Sequence, residues 1–137
     1  MFKKTILETG LRIITAPMQG TNTVTVLVLC GTGSDYEGKE IGGISHFLEH
    51  MFFKGTKRRP TPDEIKHELD RMGSVSNAFT SHEMTGYHVK AGKSFLDQSL
   101  DLLADIYHGS LLPEEEIERE RQVIVEEMHK DRDTPTL

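Results

Sequence analysis

Gly42-Gly43-Ile44-Ser45-His46-Phe47-Leu48-Glu49-His50-Met51-Phe52-Phe53 is the stretch on which the reading of this chain turns. Two glycines introduce a largely apolar segment, and residues 44–53 read as a buried helix. At about 100° per residue, His46 and His50 fall within roughly 40° of each other on that helix, with Glu49 flanking them on the same side. Ile44, Phe47, Leu48, Met51 and Phe52 take the remaining faces. The pattern is an apolar helix with one polar stripe, made of two imidazoles and a carboxylate. Burying three such groups without partners is costly. A zinc ion removes that cost, because neutral imidazole nitrogens at this spacing are good ligands.

The rest of the chain supplies a frame for that helix. Upstream, residues 4–8 and 11–16 are β-rich and flank Thr9-Gly10, which predicts a hairpin with a two-residue turn. Residues 23–29 (TVTVLVL) are β-branched and apolar and predict a more buried strand. Residues 31–43 are glycine-rich and polar, a loop. Downstream, Thr61-Pro62-Asp63-Glu64 combines an N-cap, a first-turn proline and two early acids, opening a helix to about Arg71. Residues 75–79 and 85–91 alternate like strands around a turn at Ser81-His82-Glu83. Residues 93–108 carry apolar side chains at helical spacing, and Pro113 starts a last helix running to about Lys130. The order predicts an α+β domain, a mostly antiparallel sheet covered by helices. Asp133-Thr134-Pro135-Thr136-Leu137 carries the capping residues of yet another helix, so the chain is expected to be a fragment.

Composition narrows the function classes. A chain of 137 residues can bury one real core, and no apolar run approaches a membrane span. No apolar stretch follows Lys3-Lys4, so a cytoplasmic location is expected and a membrane partner is not. The net charge of −6 argues against nucleic acid, which wants a basic surface. Cys30 is the single cysteine; it follows an apolar strand and reads as a small buried hydrophobe. His67, His82, His88, His108 and His129 read as surface or core-edge residues.

A catalytic zinc takes three protein ligands and leaves a position for water. The last helix offers Glu120, Glu126 and Glu127. With Ile117, Ile124 and Met128 as its apolar face, Glu126 falls about 180° away, while Glu120 and Glu127 lie roughly 60–80° from the centre. Either of these two reaches the core boundary; for Glu120 a salt bridge with Arg121 is the plainer reading. Arg121 itself falls on the apolar face, which requires a buried acid to explain it.

Three blocks together resemble the peptidase family M16, which contains pitrilysin, insulin-degrading enzyme and the mitochondrial processing peptidases. They are the inverted motif His46-Phe47-Leu48-Glu49-His50, continuing to Phe53-Lys54-Gly55-Thr56; the segment Glu118 to Glu127; and Ser76-Asn77-Ala78-Phe79-Thr80-Ser81 with Glu83 and Thr85. The resemblance implies one zinc ion per chain on His46, His50 and Glu127, with Glu49 as general base and Glu120 as a catalytically helpful carboxylate behind the ligands. It implies a zinc endopeptidase that holds an extended peptide along the strand bearing Asn77 and Ala78. It further implies that residues 1–137 are the N-terminal, zinc-binding part of such a domain. The partner would be a C-terminal homologous domain or second subunit, and exposed surface would favour a homodimer. Two other readings compete: a non-catalytic homologue of the same family, and an S-ribosylhomocysteine lyase-like enzyme with the same inverted motif. The latter needs a cysteine downstream of the motif, and Cys30 lies upstream.

Overall fold

The computed structural model describes residues 1–133. Past Asp133, the predicted cap of a further helix lies outside the described residues. The chain opens with β1 (Lys3–Ile6) and β2 (Arg12–Thr15), an antiparallel pair that forms its own two-stranded sheet. The expected two-residue turn is a wider loop, because Ile6 pairs with Arg12, and Leu7 and Gly10 bond back across the loop instead. A second sheet has the order β3-β5-β4, formed by β3 (Thr23–Cys30), β4 (Val75–Thr80) and β5 (Thr85–Gly92), all antiparallel. The β-strands thus divide between two sheets.

The three-stranded sheet is covered on one face. Val26, Val28 and Cys30 of β3, Tyr87, Val89 and Ala91 of β5 and Ala78 of β4 point inward, as the period of two requires. They meet α2 (Pro62–Arg71) through Ile65 and Leu69, and α3 (Leu96–Gly109) through Leu102, Leu103 and Ile106. These three α3 side chains are completely or almost completely buried, each stabilising by about 1.5–3 kcal/mol relative to exposure. The α2 start forms as read, with Thr61 and Glu64 exchanging side-chain bonds in a capping box. The first residues expected in α3, Lys93–Phe95, form a 3-10 turn ahead of it.

Helix α1 (Ile44–Met51) packs against β4 and against α4 (Glu114–Asp133), which brings the inverted motif beside the last helix. It ends two residues earlier than read, at Met51 rather than Phe53. It is also less buried than read: Ser45 and Met51 are buried, Ile44 is exposed and the residues between are partly covered. Among the described residues, no helix is long and apolar enough to cross a membrane.

Candidate metal centre

Helix α1 begins with an unusual cap. Gly43 holds φ +91°, and no side chain at that position closes the helix. Glu37, in the preceding loop, accepts from the backbone N–H of Gly43 (2.5 Å) and Ser45 (2.8 Å) instead. The Ser45 bond first, then the Gly43 bond, holds the Glu37 carboxyl below its ordinary range. A carboxylate at the positive end of α1 fixes where the helix starts, and so the direction in which the histidine stripe points.

That stripe faces α4. His46 Nε2 and His50 Nε2 are 3.2 Å apart, with Glu127 Oε2 at 3.7 Å from the former and 3.8 Å from the latter. Ligand atoms on a tetrahedral zinc with bonds of about 2.0–2.1 Å lie roughly 3.3 Å from one another. Two nitrogens and one carboxylate oxygen at these separations match that donor set. The chemistry of the pair supports it too. His50 Nδ1 lies 3.0 Å from Glu120 Oε2; a carboxylate only accepts, so Nδ1 is the donor, and in the neutral ring this tautomer leaves the lone pair on Nε2. Two imidazole nitrogens this close need a proton or a cation between them. His46, His50 and Glu127 are the only such group of three among the described residues.

Glu120 does not pair with Arg121. It is 5% exposed, less than either isoleucine on its helix, and it bonds His50 through Oε2 and Lys54 Nζ through Oε1. Burial pushes its carboxyl up, but the bonds from Lys54 and then His50 more than offset this and leave it lowered. The covered face of α4 therefore runs Ile117, Glu120, Ile124, with the Glu127 side chain half-exposed at its margin, while Met128 is exposed. Arg121 is exposed as well and meets Glu118 at 3.3 Å, so no buried acid is needed to explain it.

Glu49 lies on the β4 side of the stripe. Its Oε2 accepts from the Thr80 hydroxyl at 2.6 Å, a link between the motif and the end of β4 that the sequence did not point to. Asn77 and Ala78 are on β4, an edge strand. Ser81 N–H bonds Met84 C=O to close the turn to β5, so Ala78 opposite Tyr87 falls at a non-bonded position. Its N–H and C=O face the free edge, where the N–H meets Asn77 Oδ1 at 3.0 Å. Cys30 is partly buried, packed against the core cluster, and lies outside the His46–His50–Glu127 group.

The family profile "Insulinase (Peptidase family M16)" matches residues 12–136. The chain belongs to this family. It is 42% identical over 135 residues to the uncharacterized zinc protease YmxG of Bacillus subtilis, covering 98% of this chain and 33% of that protein. It is 46% identical over 126 residues to the human mitochondrial-processing peptidase subunit beta, covering 92% of this chain and 25% of the subunit. A protease from Helicobacter pylori has a crystal structure that superposes with a TM-score of 0.90 at 37% identity, over 97% of this chain and 32% of that one. The M16 chain described here thus spans between a quarter and a third of the length of these relatives.

Proposed function

We propose that this M16 chain is the zinc-binding part of an endopeptidase that hydrolyses extended peptides. The observation that carries the reading is the triangle of His46 Nε2, His50 Nε2 and Glu127 Oε2, three donors of the right kind at near-tetrahedral separations. When bound, zinc lowers the pKa of a coordinated water towards about 7 and polarises a peptide carbonyl. Glu49, held through one oxygen by Thr80, has its other oxygen free to take the proton of the attacking water and return it to the leaving amine. The free edge at Ala78 offers a backbone acceptor, and a donor once its bond to the exposed Asn77 Oδ1 is exchanged, so an added peptide strand binds with little demand on its sequence. Glu120 orients His50 from behind. The remaining length of such a protein, as a second domain or subunit, would close over the strand and its substrate.

Metal analysis of the wild type beside Glu127→Ala tests the assignment. The expected result is one zinc per chain in the wild type and at least about tenfold weaker binding in the variant. Equal zinc content in both would remove Glu127 from the ligand set and with it the geometric case for a hydrolase.

A further inference from the structure

Lys54 follows His50 by four residues, just past the end of α1, and its ammonium bonds the buried Glu120. Its backbone is fixed on both sides. Lys54 N–H bonds Met51 C=O at 3.1 Å, and Gly55 beside it holds φ +136° with Pro60 C=O against the space a Cβ would need. Thr56, completely buried, then anchors the segment to Asp105 of α3 at 2.7 Å. The backbone position from which the Lys54 side chain reaches Glu120 is therefore fixed.

We propose that Lys54 is a positioning residue of the metal centre, locking Glu120 so that His50 presents Nε2 to the ion. The inference rests on the zinc reading above and adds a third link to it, Lys54–Glu120–His50. A carboxylate with a single partner can rotate about its last bond. Glu120 has both oxygens engaged, Oε1 by Lys54 and Oε2 by His50 Nδ1, so its plane is held at two points. The plane sets the direction of the Nδ1 bond, and that bond sets the imidazole ring. Partners one step behind a ligating histidine change metal affinity by about 10–100-fold when removed. Lys54 stands one step further back, which places its effect at the low end.

Two simpler roles predict otherwise. If Lys54 only neutralised a buried acid, its loss would lower stability and leave metal affinity alone. If its charge acted on the ion directly, the repulsion between two cations would make binding tighter once it was gone.

The test is zinc affinity of the 137-residue chain by competition with a chromophoric chelator, for wild type, Lys54→Met, Lys54→Gln and Lys54→Arg. Far-UV circular dichroism at the titration temperature reports folding, and cobalt substitution reports ligand geometry through its visible bands. Lys54→Met is expected to bind zinc about tenfold more weakly, with altered cobalt bands. Lys54→Arg, which keeps charge and donors, should stay within about threefold of wild type. Lys54→Gln should fall between them, and the Gln–Arg difference carries the test if the Met variant does not fold. Unchanged or tighter binding in folded Lys54→Met overturns the proposal while leaving the zinc site standing. Failure of the wild type to bind zinc removes the site itself, and this inference with it.

Discussion

Thr80 donates to Glu49 from the last position of β4, and that one bond ties the strand edge to the general base of the proposed reaction. Glu49 sits on α1 and Thr80 on the sheet, so the contact fixes a carboxylate that helix geometry alone leaves free to swing. Losing the hydroxyl leaves Glu49 without this donor and costs about 1–2 kcal/mol, the lower part of the range for a bond to a charged group because the pair is only part-buried. Thr80→Val, which keeps the shape, should lower the urea midpoint accordingly, and Thr80→Ser should restore it. Zinc affinity should stay near wild type in both, since neither His46, His50 nor Glu127 bonds Thr80. A valine variant as stable as wild type would mean that the hydroxyl contributes nothing in solution.

At the scale of elements, the segment after α1 is pinned by a cluster of charges. Arg59, only 9% exposed in its side chain, bonds Glu68 of α2 at 2.6 Å and 2.8 Å, and Asp105 and Asp101 of α3 at 2.6 Å and 2.9 Å. Removing it strands carboxylates against the core, so Arg59→Met is expected to cost about 3 kcal/mol in chemical denaturation. The hub also predicts an acid dependence. Asp101 is held down to about 2 from an ordinary value of 3.8 by its bonds from Arg58 and then Arg59, and Glu68 is lowered from 4.5 by its bond from Arg59. Folded values below unfolded ones mean stability that is fully present above about pH 4.5 and lost as pH falls towards 2. The melting temperature should drop across that window, and less steeply in Arg59→Met; equal slopes would exclude the hub as its source. None of these partners was legible in the sequence, because they join residues 9 to 46 positions apart. What was legible was local. The Thr61 N-cap lies within a single helical turn and formed as read. His46 and His50 lie together on α1, though that helix is shorter and less buried than its sequence suggests. The face of α4 was misjudged for the opposite reason: Glu120 is buried by Lys54 and His50, which lie 66 and 70 positions away. Glu37 escaped notice because a cap six residues ahead of Gly43 follows no helix-start pattern.

At the scale of the whole molecule, the donors of the candidate metal centre are assembled but open to water. His46 and Glu127 keep 41% and 46% of their side-chain surface exposed, and no further strand pairs with β4 at its outer edge among the described residues. The outer face of the three-stranded sheet carries Leu27, Leu29 and Phe79 exposed, and the β1–β2 pair exposes Ile6 and Ile14. Peptide hydrolysis gains from excluding water, since a dry site strengthens every charge interaction with the reacting carbonyl. The relatives have about three to four times this length, enough for another body to lie over the site. If the proposed zinc reading holds, binding and turnover should separate: the metal would need only α1 and α4, whereas the reaction would need a covered, correctly held peptide. The 137-residue chain is expected to take up zinc and yet cleave a fluorescence-quenched extended peptide at least about 100-fold more slowly than a chain of the relatives' full length, a gap within what orientation and water exclusion supply. Comparing the two preparations at equal zinc occupancy decides the matter. Matching rates would mean that α1, α4 and the β4 edge alone hold the peptide well enough for chemistry.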